Sequence, residues 1–168
     1  MKWMIAFVVF FVSGLAAHFA TLHAVPGLIM ERTMATMANN EIPFHSFRLA
    51  PAVTPQNQSV VRPSPDLAYS LCLYDLSETD GLIELRAGAF DGYGSIAVFD
   101  DQTNNIAAVR LPAGEETSVT LGKASSAGIS ATSDTGLILI RRLASTPQAR
   151  AAVEQAALRD ACAPTPIN

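Results

Sequence analysis

The sequence predicts a mainly β protein: an antiparallel β-sandwich or open barrel of about seven short strands with one C-terminal helix, preceded by an N-terminal transmembrane helix. Two observations carry the β assignment. Runs rich in Ile, Val, Leu and Thr recur at short intervals from Asp66 to Leu143, each bounded by Gly, Asp, Asn or Ser clusters that turn the chain. No helical periodicity interrupts the series, which argues against a parallel sheet with crossover helices. The apolar run before Pro26 is the third observation and sets the N-terminal helix apart.

From Trp3 to Leu22 the only strongly polar side chain is His18, with Lys2 before the run and Pro26-Gly27 after it. A run of about 20 apolar residues lets a helix cross the hydrocarbon core of a bilayer. Two readings of residues 1–25 stay open. In one the segment is an uncleaved anchor, because the run continues through Phe19 and Leu22. In the other it is a signal peptide, with Met4 to Val12 as apolar core and Gly14-Leu15-Ala16 as a small-x-small cleavage site. The length favours the anchor. Lys2 holds the amino terminus in the cytoplasm by the positive-inside tendency, so the remainder is exported on either reading. His18 is a candidate for proton or metal chemistry, since ionisable groups in a span are costly. With no second ionisable group in the run, a hydrogen bond to the backbone explains it better. His23 and His45 are isolated, and metal binding has no support.

Residues 26–64 read as a membrane-proximal helix and a Pro-rich linker. Met30 to Ala38 extends the helix, with Glu31 and Arg32 at the lipid–water boundary. Asn39-Asn40, Pro43, Pro51, Pro55, Pro63 and Pro65 then exclude a long helix, leaving Ile42, Phe44, Phe47 and Leu49 to pin part of the linker. Asn57-Gln58-Ser59 fits a glycosylation sequon, a frequent chance match.

Residues 65–168 form the β-rich domain with its C-terminal helix. In Asp66 to Leu76 the alternating sets Leu67, Tyr69, Leu71, Leu73 and Ala68, Ser70, Cys72, Tyr74, Leu76 are both apolar or small, which predicts a central strand covered on both faces. Asp80-Gly81 turns the chain into Leu82 to Arg86, so the pair reads as an antiparallel hairpin. Further strands are expected at Ser95–Phe99, Ile106–Leu111, Thr117–Leu121, Ile129–Thr132 and Leu137–Leu143. Ser145 and Gln148 fit a capping box around Pro147, opening a helix whose stripe is Ala149, Val153, Ala156 and Ala157.

Charged residues make up 15% of the chain against a typical share of about 25%. The net charge is −4, and the basic residues are scattered, which argues against nucleic acid as partner. Cys72 and Cys162 are the two cysteines; export allows a disulfide between them, and the alternative is two thiols, one of them buried.

Gly92-Tyr93-Gly94-Ser95-Ile96-Ala97 matches a permissive dinucleotide fingerprint, but it leads into a strand where that motif needs a helix, so it reads as a tight turn and implies no cofactor. Asp100, Asp101, Asn104 and Asn105 lack the spacing of a calcium loop and read as a hairpin turn. Tyr69, Ser70, Tyr74 and Asp75 offer a hydroxyl and a carboxylate, yet a triad would have to recruit His45 from the linker.

Pro65-Asp66-Leu67-Ala68-Tyr69-Ser70, Tyr74-Asp75-Leu76-Ser77, Gly92 to Asp100 with Thr103-Asn104-Asn105, and Gly136 to Leu143 with Arg141-Arg142 resemble bacterial proteins of the domain of unknown function 1254 family. The N-terminal anchor and the Arg159-Asp160-Ala161-Cys162-Ala163-Pro164 segment resemble its short single-domain members. The turn Glu78 to Gly81 departs from the Gly-Pro pair of longer relatives. Those relatives join this domain to one numbered 1214, so the resemblance implies a separately encoded 1214-type partner at the membrane surface. The expectation is a single-pass protein of the bacterial inner membrane with a periplasmic, non-enzymatic interaction domain. The alternative is a subunit of an enzyme or small-molecule binder whose site forms at the partner interface through Tyr69, Tyr74, Tyr93 and Asp100.

Overall fold

A computed structural model of the chain describes residues 2–54, 63–79, 81–123 and 127–165. The sequon at 57–59, and Asp80 of the expected Asp80-Gly81 turn, lie outside the described residues. Helix α1 spans Lys2–Asn39 and α2 spans Pro147–Ala157. The strands are β1 Arg48–Leu49, β2 Leu67–Asp75, β3 Leu82–Ala87, β4 Gly94–Asp100, β5 Asn105–Leu111, β6 Thr117–Gly122, β7 Ile129–Ser130, β8 Thr135–Leu143 and β9 Ala161–Pro164. They form a five-stranded sheet, β1-β2-β8-β4-β5, and a four-stranded sheet, β7-β6-β3-β9. The fold is mainly β with an N-terminal helix, as the spacing of apolar runs predicts; β1 and β9 add to the seven expected strands.

Period-two alternation builds the sandwich core. The five-stranded sheet turns Cys72, Tyr74, Ile96, Val98, Ile138 and Ile140 inward, and the four-stranded sheet meets them with Ile83, Leu85, Leu121, Ile129 and Cys162. The opposite parity of β2 and β8 packs against α1. Leu71, Leu73, Leu137 and Leu139, with Phe99 of β4, cluster with Met30, Met34 and Met37. Along α1 the residues that lose exposure are Pro26, Gly27, Met30, Thr33, Met34 and Met37, the three-to-four spacing of a helical stripe.

The helix is one element through Pro26. It is long and apolar enough to cross a membrane by length and composition, with a most apolar 18-residue window of mean hydropathy 2.1 and none of that window buried. Its end is a Schellman turn. Ile42 N donates to Met37 O and Glu41 N to Ala38 O, both at 3.0 Å, with Glu41 at φ 62 in the left-handed region. Ile42 packs with Met37 in the same apolar cluster.

Three local expectations are corrected. β2 and β3 do not form a hairpin: β2 pairs with β8, β3 pairs with β6 and β9, and the 3-10 turn Leu76–Glu78 carries the chain from one sheet to the other. Alternation identifies two strands and is silent on whether they share a sheet. β2 is covered on both faces, but the central position belongs to β8, between β2 and β4. Burial on two faces reports what lies above and below a strand, here the core and α1, not what lies beside it. The N-cap of α2 is Thr146, whose hydroxyl accepts from Ala149 N at 3.1 Å, one residue later than the Ser145 box predicts. The segment read as linker also contributes structure. Phe44 bridges to Leu73 in parallel, and Arg48 and Leu49 pair with Leu71 and Ser70.

Candidate functional site

The most buried polar group of the fold lies where the C-terminal tail meets both sheets. Strand parity puts Arg142 inward with Ile138 and Ile140, where an unpaired cation would be costly. Asp160, just beyond α2, supplies the partner. Arg142 Nη2 and Nη1 donate to Asp160 Oδ1 at 2.6 Å and Oδ2 at 2.8 Å, the bidentate geometry of a guanidinium and a carboxylate. Both side chains are essentially excluded from solvent. Ser70 Oγ and Gly88 N complete the carboxylate shell at 2.9 and 3.0 Å, and Arg142 Nη2 also donates to Gly88 O at 3.0 Å. A Cβ on Gly88 would strike the Ala156 carbonyl, so glycine is what lets the tail approach. Two residues on, Cys162 is bonded to Cys72, Cα to Cα 6.6 Å apart. This is a clamp. Ser70, considered for nucleophilic work, donates its proton to a carboxylate and has no imidazole beside it.

A second cluster lies at the end of the five-stranded sheet where β4 turns into β5. Asp100 is 4% exposed and accepts from Gln102 N, Asn104 N, Asn104 Nδ2 and Thr132 Oγ1 at 2.8 to 2.9 Å. Burial pushes its carboxyl up, but the hydrogen bonds from Asn104, Thr132 and Gln102 outweigh that and hold it below the usual carboxylate value. Tyr74 reaches the same end from β2 and donates to Phe99 O at 3.3 Å. Burial, which the Ser133 hydroxyl offsets in part and the charges of Asp100, Asp101 and Asp134 reinforce, pushes the phenol up to about 12. The ring lies over Gly136, where any side chain would collide with Tyr74 and the Phe99 carbonyl. His45 does not reach Ser70. Its Nε2 contacts the backbone of Asp75, 3.0 Å from the oxygen and 3.1 Å from the nitrogen, and it caps the strand end.

The four residues expected to form a ligand or partner surface therefore divide. Tyr74 and Asp100 come together but are buried, and their donors and acceptors are spent on the fold. Tyr69 and Tyr93 lie toward the other end of the sheet. The Tyr69 hydroxyl accepts from Ser64 N at 2.9 Å. Tyr93 is 49% exposed, with the Arg110 guanidinium 6.0 Å from its ring centroid. Asp91, Gly92, Tyr93, Arg110, Leu111, Pro112 and Ala113 line a shallow groove of about 480 Å³ there. Gly92-Tyr93 is a loop and Gly94 opens β4, the turn-then-strand order read from the sequence. Among the described residues no three His, Cys, Asp or Glu side chains gather as a metal site. His23 bonds Phe19 O within α1, and His18 stands against Phe19. Sequence reasoning missed the Arg142–Asp160 pair. Its signal was present, since an arginine in phase with two inward isoleucines demands a buried acceptor.

The family described as a protein of unknown function (DUF1254) matches residues 44–166. Among solved structures, the VPA0106 protein from Vibrio parahaemolyticus is similar over 85% of this chain and 38% of its own, with a TM-score of 0.56 and 10% identity, a likeness of fold. A protein from Burkholderia cenocepacia matches over 61% of this chain and 32% of its own, with a TM-score of 0.44 and 13% identity. The chain thus spans well under half the length of these two structures. No curated protein matches it. The family match covers most of the sequence, and the chain belongs to the DUF1254 family.

Proposed function

We propose that this DUF1254 protein is a single-pass, membrane-anchored β-domain of the bacterial periplasm, acting as a non-enzymatic interaction module for a separately encoded partner of the 1214 type. One observation carries the anchoring. α1 exposes its apolar N-terminal two thirds on all sides, including Trp3, Phe7, Phe10, Phe11 and Phe19, while its last third is packed on the sheet. A helix apolar all round that is not buried in protein calls for lipid. The Cys72–Cys162 bond supports an oxidising compartment, and Lys2 supports a cytoplasmic amino terminus. The interaction role is supported by polar clusters that are consumed by the fold.

The test is fractionation and affinity purification from gently solubilised membranes. The expected result is a full-length chain in the inner-membrane fraction, its domain cleaved by protease only when added from the periplasmic side, with a 1214-type protein co-purifying. Recovery as a soluble, processed monomer contradicts the proposal. The alternative, a binding site completed at the partner interface, rests on exposed Tyr93 and its groove. A thermal-shift screen that responds only when chain and partner are combined favours it.

A further inference from the structure

The outer face of the five-stranded sheet changes character halfway along. Under α1 it is Leu71, Leu73, Leu137, Leu139 and Phe99. One register step further, Tyr69 on β2 stands opposite Arg141 on β8, Arg141 opposite Ser95 on β4, and Ser95 opposite Arg110 on β5. Parity places all four on the α1 side, since Ile138, Ile140, Ile96 and Val98 of the same strands point into the core. Directly opposed residues have Cβ atoms about 5 Å apart, so the row is continuous across four strands.

This row holds donors without acceptors. Ser95 is 6% exposed, and its buried Oγ has no hydrogen-bond partner. Arg141 Nε is buried and unpartnered too, and no carboxylate pairs with Arg141 among the described residues. Arg110 touches the Tyr93 ring and forms no ion pair with Asp91, which lines the same groove. The Tyr69 hydroxyl accepts from Ser64 N, which leaves its proton to donate. Buried donors left unmade are costly, and two guanidiniums flanking a hydroxyl match the geometry and charge of an oxyanion. Leu143, 42% exposed beside Tyr93, offers apolar surface to whatever the anion is attached to.

We infer that the Tyr69–Arg141–Ser95–Arg110 row is a binding site for the phosphate or carboxylate group of a soluble small molecule. The row rests on strand register and is independent of the proposed partner, while the exclusion of a lipid source rests on the proposed anchoring. A bilayer headgroup is a poor source. The β4–β5 turn, whose Gln102 side chain lies against Gly27 of α1, is the lipid-facing end in the anchored arrangement. Ser95 is five residues down β4 from Asp100, roughly 16 Å away at the rise of a strand.

The experiment titrates the full-length chain in zwitterionic micelles with sodium phosphate, and separately with sodium acetate, against sodium chloride at constant ionic strength, following arginine Nε resonances. Saturable shifts of Arg141 and Arg110 with either anion are expected. Arg110→Gln and Arg141→Gln should each weaken binding by about tenfold or more, Ser95→Ala by less, and Arg86→Gln on the other sheet not at all. Arg110 is exposed on an edge strand, so its variant keeps the fold and its thermal midpoint checks this. No saturable shift with either anion, or unchanged affinity in Arg110→Gln and Arg141→Gln, overturns the site. Loss of the phosphate response in nanodiscs containing anionic lipid, but not in zwitterionic ones, overturns the soluble source.

Discussion

The two sheets of this sandwich share one core and differ on their outer faces. The four-stranded sheet shows water Glu84, Arg86 and Ser118, with Ser118 Oγ donating to Glu84 at 2.9 Å. The five-stranded sheet shows α1 a row of leucines, and Leu73 is fully buried. One face is what a soluble sandwich presents, and the other makes sense only with α1 in place. The same helix that reads as an anchor is therefore also the third layer of the fold.

The seam that holds both sheets is the place to break them together. Asp160→Ala leaves Arg142 charged and buried, with Ser70 and Gly88 unpaired, and should cost about 3–5 kcal/mol. Denaturant unfolding of the full chain measures it, and both sheets should unfold in one transition. A cut at the outer faces separates them. Leu73→Ala, beneath Met30, should cost about 2–5 kcal/mol, while Glu84→Ala on the other sheet should stay within about 0.5 kcal/mol. Equal losses would mean that α1 does not cover the sheet.

Two titrations sharpen the picture at the β4–β5 end. The folded pKa of Tyr74 is about 12, above its unfolded value, so its contribution is complete below the ordinary tyrosine range and is lost as pH rises toward 12. Phenolate absorbance in an alkaline titration should show a tyrosine ionising only near pH 12. Asp100 has the opposite sign. Its folded pKa is depressed, so the turn is held above the ordinary carboxylate range and weakens as pH falls through that range and below it. Asp100→Asn should remove that acid dependence.

The smallest effect is at the end of α1. Glu41 occupies a left-handed position that glycine prefers, and its ion pair with Arg48 at 2.8 Å is exposed. Glu41→Gly should be neutral to stabilising, by under about 1 kcal/mol, in thermal unfolding.

Strand existence was legible because β2 to β8 carry β-branched and leucine runs with turn residues between them, so composition and periodicity agree. β9 was not, since Ala161-Cys162-Ala163-Pro164 has neither alternation nor bulk and is held by the disulfide and by Asp160 at its head. Leu67 to Leu73 announced a covered face without saying that the cover was Met30, Met34 and Met37, nearly forty residues earlier. The site was less legible than the fold. Tyr69 and Tyr93 were singled out as aromatics, yet Ser95, Arg141 and Arg110 join them only through strand register, which period-two patterning leaves undetermined between strands.

The double role of α1 is tested most directly by a single-cysteine labelling scan of the helix in nanodiscs with a water-soluble maleimide. No labelling is expected at any position from Ile5 to Leu22. From Leu28 to Ala38 labelling is expected that skips Met30, Met34 and Met37 and is reduced at Thr33. Labelling along Ile5 to Leu22 would contradict the membrane span, and uniform labelling from Leu28 to Ala38 would contradict the packing of α1 on the sheet.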